Sequence, residues 1–180
     1  KYTSVTDFRQ DIHAAYSTFS SKWGNLSYMA GLRGEVTIRE ILNTNQASAS
    51  NLNTFDLFPT LHLSYPILES NELMSSYSRR IRRPDGRDLD PNPSYWNRYT
   101  IRFGNPDLKP EYTDSYELGY LKRFKGSYVS LDAFHRVTNN KIEQLDSIGT
   151  DGIFYSTPEN IGKDYSTGIE ITGNINVTKW

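Results

Sequence analysis

Read for the alternation of apolar and polar side chains, the chain falls into seven segments of period two. The clearest runs over 25–40. Its even positions are Leu26, Tyr28, Ala30, Leu32, Gly34, Val36, Ile38 and Glu40; its odd positions are Asn25, Ser27, Met29, Gly31, Arg33, Glu35, Thr37 and Arg39. Successive side chains of a strand point to opposite faces, so this run predicts a strand apolar on one face and polar on the other. It is also long. Roughly 15 alternating residues exceed the common strand length of about 5–6, whereas a tilted strand crossing a bilayer needs about 9–11 plus whatever projects beyond it.

The other six segments follow the same rule less cleanly. Over 7–22, Phe8, Ile12, Ala14 and Tyr16 stand against Arg9, Asp11, His13 and Ser17; over 55–65, Phe55, Leu57, Leu61, Leu63 and Tyr65 stand against Asp56, Thr60, His62 and Ser64. The fourth, 72–82, sets Leu73, Tyr77 and Ile81 opposite Glu72, Ser76, Ser78, Arg80 and Arg82. The fifth, 112–123, carries Tyr116, Leu118 and Tyr120. The sixth, 127–139, sets Val129, Leu131, Ala133 and Val137 against Ser130, Asp132 and Arg136. The seventh, 165–179, sets Ile169, Ile171, Ile175 and Val177 against Glu170, Thr172, Asn174 and Asn176.

The connections between segments alternate as well. They are tight at 22–25, 66–71 and 124–126, and long at 43–54, 83–111 and 140–164. Short turns on one side and long loops on the other are the asymmetry of an outer-membrane barrel. A soluble sandwich would alternate along its strands too, but has no reason to keep every long loop on one side. Trp23, Tyr28, Tyr65, Tyr120, Phe124 and Tyr128 lie near the short turns, with Trp180 expected on the same side, as an interfacial aromatic girdle requires. The predicted fold is therefore all-β: an antiparallel up-and-down transmembrane β-barrel. Seven strands do not close such a barrel, whose strand number is even in bacteria, and a membrane does not tolerate unpaired edges. Residues 1–180 are thus expected to be a partial barrel domain. No apolar leader follows Lys1, and both ends read as cuts in a longer polypeptide.

Composition removes most other classes. The mean hydropathy is −0.65, and no run approaches the roughly 20 apolar residues of a membrane helix. A barrel remains compatible, because only alternate strand residues face lipid. The 13 tyrosines suit an interface or a sheet. A net charge of −1 lacks the basic footprint of nucleic-acid binding. Cysteine is absent, and His13, His62 and His135 have no metal-type spacing. There is no nucleophile elbow, phosphate loop or dinucleotide fingerprint. Asp85-Gly86-Arg87-Asp88-Leu89-Asp90 lacks the spacing and closing Glu of a calcium loop. The sequence thus predicts no enzyme, no cofactor and no metal.

The densest candidate chemistry is 79–102, with Arg79, Arg80, Arg82, Arg83, Arg87, Arg98 and Arg102 beside Tyr95, Trp96 and Tyr99. Period two aims Arg80 and Arg82 at the lumen. Guanidinium forks and aromatic faces make Arg80, Arg82, Arg98, Tyr95 and Trp96 candidates for contact with a ligand or a plug. Arg79 is a candidate for outer-leaflet lipid. The competing reading is a solvated rim balanced by Asp85, Asp88 and Asp90.

Gly104-Asn105-Pro106-Asp107-Leu108-Lys109-Pro110-Glu111, running into Tyr112-Thr113-Asp114-Ser115-Tyr116-Glu117-Leu118-Gly119-Tyr120, resembles the GNPxLKPE signature of TonB-dependent outer-membrane receptors, in the outer-membrane β-barrel family common in Bacteroidetes-like bacteria. Leu57-Phe58-Pro59, Ser76-Tyr77-Ser78-Arg79-Arg80, Arg83-Pro84, Leu89-Asp90-Pro91, and Glu159-Asn160 before Gly168-Ile169-Glu170 match in family order over about 55–171. The resemblance implies a plugged barrel of about 22 strands, of which this chain is about a third, without plug domain or TonB box. It further implies a place in the bacterial outer membrane and contact with its lipid. The TonB complex would be reached through the missing N-terminal part. The ligand is left open between small molecule, glycan and peptide. Physically, the turn-forming Asn105-Pro106-Asp107 and the extended residue before Pro110 make Gly104, Asn105, Pro106, Leu108, Pro110 and Glu111 a device for register and loop anchoring. The alternatives are a non-transporting barrel for adhesion or scaffolding, and a soluble β-sandwich binding module.

Overall fold

The computed structural model describes residues 5–43 and 48–176. In chain order the elements are β1 (Thr6–Trp23), β2 (Leu26–Asn43), β3 (Ser48–Leu68), β4 (Asn71–Arg82), α1 (Gly86–Leu89), β5 (Ser94–Asn97), β6 (Thr100–Arg102), β7 (Glu111–Phe124), β8 (Ser127–Asn139), β9 (Ile142–Ile148), β10 (Phe154–Asn160) and β11 (Lys163–Asn174). β1, β2, β3, β4, β7, β8 and β11 form one open sheet in that order, every pair antiparallel. This is the up-and-down wall that the seven segments predict. No helix among the described residues is long and apolar enough to cross a membrane. Val177 and Trp180 lie outside the described residues.

Three two-residue turns, 24–25, 69–70 and 125–126, close the hairpins at one end. Lys125 and Gly126 both have positive φ, the backbone of the tight hairpin turn whose twist matches its strands. At the other end one expectation needs correction. The polar stretch 43–54 is mainly strand: β2 runs to Asn43 and β3 starts at Ser48, leaving 44–47 as the connection, outside the described residues. Polar residues read as loop because both faces of a ribbon projecting beyond the membrane are wet or covered by protein, so nothing there demands apolar alternation.

The register assigns the faces. Leu32 pairs with Pro59, Ala30 with Leu61 and Tyr28 with Leu63; Leu61 pairs with Tyr77, and Tyr77 with Tyr116. This outer face is apolar and uncovered: Leu32, Leu57 and Leu118 are each about half exposed. Polar Glu35, Thr37, Arg39 and Asn43 of the opposite, inner face are buried. The arrangement is inside-out relative to a water-soluble protein, as lipid on one side and protein on the other require.

β1 departs from the simple reading. Phe8 lies opposite Ile41, Ile12 opposite Thr37, Ala14 opposite Glu35 and Tyr16 opposite Arg33, so its apolar set lies on the inner face. Its outward residues nearer the turn are uncharged: Ala15, Ser17, Phe19, Ser21 and Trp23. The charged Asp7, Arg9 and Asp11 come only toward the far end. An 18-residue strand outruns a span of about 9–11 residues, so those charges fall beyond the apolar band.

Trp23, Tyr28, Tyr65, Tyr120 and Phe124 all point outward by register, whereas Tyr128, opposite Arg123, lies on the inner face. A second outward row was not anticipated: Tyr77, Tyr116, His135 and Tyr165, with successive ring centroids 5.1, 6.4 and 6.4 Å apart. Tyr116 stands eight residues before Phe124. At ~3.3 Å per residue and ~40° tilt this is ~20 Å of depth, close to the ~25 Å apolar band between two girdles.

Two prolines interrupt β3. Pro66 sits where the β3–β4 register shifts, a bulge next to the turn. Pro59 keeps its pairing position opposite Leu32, but the β3–β4 ladder stops at the neighbouring Thr60, opposite Ser78. A proline has no N–H for a ladder, and beyond it β4 separates from β3.

Candidate functional site

The two long connections are not independent loops. From 83–110 come β5 and β6, from 140–162 come β9 and β10, and the four make a second sheet in the order β5-β6-β10-β9, with β6 and β10 parallel. This sheet joins the wall where Ile41, Leu89, Leu108 and Ile142 form a small buried core. Ile41 comes from β2, Leu89 and Leu108 from the first connection and Ile142 from the second, so the core exists only when both connections lie against the inner face of β2.

The 104–111 segment holds the assembly together. Gly104 N–H donates to the Asp90 carbonyl at 2.8 Å and Asn105 N–H to the Asp88 carbonyl at 2.6 Å. A Cβ on Gly104 would stand 2.5 Å from Asp90 O and 2.6 Å from Asp90 N, which reserves the position for glycine. The Asn105 side chain accepts from Asp107 N–H at 3.0 Å, closing the turn, and its amide donates to the Pro158 carbonyl of the other connection at 3.3 Å. Pro106 and Leu108 offer their carbonyls to one guanidinium nitrogen of Arg39, at 3.2 and 2.8 Å, and Leu108 itself is fully buried. Pro110 lends its carbonyl to the Asn140 amide at 3.3 Å. Glu111, almost fully buried, accepts both nitrogens of the Arg82 fork at 2.7 and 2.9 Å and the N–H of Ile142 at 2.7 Å.

Asn160 completes the clasp from the other connection. Its Oδ1 accepts from Lys109 N–H at 2.9 Å; its Nδ2 donates to the Lys109 carbonyl at 3.0 Å and to the Asn140 carbonyl at 2.8 Å. An amide side chain here imitates one step of a β-ladder. Asn160 belongs to the Glu159-Asn160 match noted in the sequence, yet no pattern in the sequence pairs it with Lys109, 51 residues away.

The candidate binding residues separate into two places. Arg80, exposed on the inner face, lies opposite Thr113, and Arg82 is committed to Glu111. Tyr95, Trp96 and Arg98 stand exposed at the β5–β6 hairpin of the second sheet. There Trp96 stacks with Arg102 rather than Arg98, the guanidinium 5.3 Å from the ring centroid. Trp96 and Arg102 help line a recess of about 390 Å³ together with Ser94, Gln144 and Pro158. Of Arg87, Asp85, Asp88 and Asp90, two have structural work: Asp85 caps α1 through the N–H groups of Arg87 and Asp88, and Asp90 accepts Thr6 of β1 at 2.8 Å. Near the β9–β10 turn, Asp151 accepts Ile153 N–H and then the Tyr155 hydroxyl, which holds its carboxyl below the usual range; the same bond from the other side raises the Tyr155 phenol. Among the described residues, no group of three or more His, Asp or Glu is placed to hold a metal.

The comparisons agree with this architecture. The chain is 27% identical over 147 residues to the vitamin B12 transporter BtuB of Vibrio vulnificus (strain CMCP6), covering 81% of the chain and 21% of that protein. Its fold superposes on the hemophore receptor HasR of Serratia marcescens with a TM-score of 0.78 at 16% identity, covering 93% of the chain and 32% of HasR. The siderophore receptor PirA from Pseudomonas aeruginosa gives 0.62 at 15% identity, covering 93% of the chain and 40% of PirA. The chain thus spans between about a fifth and two fifths of these proteins. The model of the outer membrane protein beta-barrel family matches residues 1–180 in full, and the chain belongs to that family.

Proposed function

We propose that this chain is a section of the barrel wall of a TonB-dependent receptor that takes up a ligand actively across the outer membrane. One observation carries the reading. A wall with an apolar, uncovered outer face is joined on its inner face to a second sheet built from both long connections. A barrel needed only as a scaffold has no use for loops folded inward and fixed to the wall; a receptor does, because they shape the mouth where a ligand first lodges. The relatives named for vitamin B12 transport, hemophore reception and siderophore reception support the same reading. In it, the plug and TonB box lie elsewhere in the parent polypeptide, TonB supplies energy, and the wall contributes shape and charge without catalysis or cofactor. Arg80 and Arg82 would line the lumen, with Tyr95, Trp96 and Arg98 at the mouth as ligand contacts. The ligand could be a small molecule, glycan or peptide.

The test uses an antibody to this segment on outer-membrane extracts, with and without boiling. The expected result is a heat-shifted band several times larger than 20.7 kDa that is retained on a column carrying the TonB C-terminal domain. A detergent-free band near 20.7 kDa would overturn the membrane reading. A large heat-shifted band with no TonB retention would overturn the transport reading alone.

A further inference from the structure

Where β4 parts from β3 beyond Pro59, the wall has a recess of about 630 Å³ spanning β1 to β4. Four guanidinium groups line it, Arg33, Arg79, Arg80 and Arg83, with Glu35 as the one carboxylate among its lining residues. Glu35 is shared between Arg33 and Arg83, and Arg83 also donates to Thr37 Oγ1 at 3.0 Å. Arg79, on the same face as the outward Tyr77 and opposite Asp114, reaches the recess from the lipid side and lies over the Tyr112 ring at 5.2 Å. Arg80 makes no hydrogen bond or ion pair among the described residues. The nearby carboxylates are occupied: Asp56 takes the Thr54 and Tyr112 hydroxyls at 2.9 and 2.8 Å, and Asp114 takes that of Tyr77 at 2.8 Å. The Nε atoms of Arg79 and Arg83 are buried and lack a partner.

A buried guanidinium nitrogen without an acceptor is costly, and the cations lining the recess outnumber its one lining carboxylate. An anion entering the recess lowers the repulsion, and planar guanidinium forks match the oxygen pairs of carboxylate and phosphate. We propose that this recess is an oxyanion-binding site on the inner face of the wall, with Arg80 as its uncommitted anchor. The proposal rests on the reading of the chain as receptor wall. The oxyanion can come from an anionic group of the ligand in transit or from an acidic side chain of the parent polypeptide's own plug; both present the same chemistry to the arginines.

The test compares the detergent-purified parent receptor with its R80Q variant, by equilibrium dialysis against radiolabelled inorganic phosphate and by thermal unfolding. Saturable phosphate binding that weakens about tenfold or more in R80Q, the loss of one bond to a charged group, supports the site and a diffusible source. No phosphate binding together with a lower unfolding temperature in R80Q supports the site and a resident carboxylate. Phosphate bound equally by both proteins overturns the proposal. So does no binding with an unchanged or higher unfolding temperature in R80Q, since Arg80 then holds no acidic partner. These readouts do not involve transport, so they fail independently of the TonB column.

Discussion

Asn160→Ala removes three hydrogen bonds at one stroke and touches neither the wall ladders nor the buried core. The side chain accepts from Lys109 N–H and donates to the Lys109 and Asn140 carbonyls at 2.8 to 3.0 Å. At a net ~1 kcal/mol per bond the ceiling is ~3 kcal/mol. The two Lys109 bonds are exposed, so water replaces the lost partner in part, while the Asn140 carbonyl is partly buried and replaces it less well. The expected loss is ~1–2 kcal/mol, felt locally as easier opening of the second sheet. Native-state amide hydrogen exchange on the detergent-solubilised parent protein measures this directly. Amides of Lys109, Ile142 and β10 should exchange about 5- to 30-fold faster, the factor equivalent to that energy, while amides of the β2–β3 ladder keep their protection. Asn160→Asp retains the acceptor but not the donor, so it should fall between wild type and alanine. Unchanged protection at Lys109, or a loss spread equally over the wall, would refute the idea that this side chain clasps the two connections.

Gly104→Ala should cost ~2–3 kcal/mol, because its Cβ meets the Asp90 backbone at 2.5 Å and backbone yields little; faster cleavage within 83–110 by limited proteolysis reads it. Arg82→Ala leaves Glu111 buried with its carboxylate half-partnered, for a loss of ~2 kcal/mol after allowance for the exposure of Arg82. The double variant Arg82→Ala/Glu111→Gln should recover part of that loss in urea unfolding, and strict additivity would argue against the pair. Leu63→Arg places a charge on the lipid side between the two aromatic rows and should cost ~2–4 kcal/mol, whereas His62→Arg, one residue away on the inner face, should cost little. Equal effects on the heat-stable folded band would undo the face assignment.

The wall was legible because period two is a physical demand made at every residue: lipid on one side admits no charge within the band. Leu26 to Ile38 satisfy that demand without exception, and the strand they predict is the one observed. The same demand lapses beyond the band, and there the reading failed. The stretch 43–54 reads as loop although it is mainly strand, and the alternation in β1 does not tell which face meets lipid, because its outward charges Asp7, Arg9 and Asp11 lie beyond the band. The row Tyr77, Tyr116, His135 and Tyr165 was hidden for a different reason. Its members sit in four strands, and only the register between strands reveals that they are neighbours.

The clasp shows a further limit and why it exists. The signature 104–111 was readable as a turn, since Asn105, Pro106 and Asp107 act on their own backbone. Its partners Arg39, Asn160 and Ile142 are remote in sequence and meet it through single polar bonds, which impose no periodicity. Local chemistry therefore announced that the segment is shaped, and only the fold disclosed what it is shaped to hold. The consequence bears on function. A mouth made of two separate flexible loops could close on a ligand piecewise, but β6 and β10 pair directly and Asn160 ties the ends of both connections. In the outer membrane, where this wall resides, the two connections should therefore move as one body. In the proposed receptor, a rearrangement that admits a ligand would then hinge at the junction with the inner face, around Arg39, Arg82 and Glu111, rather than within the loops.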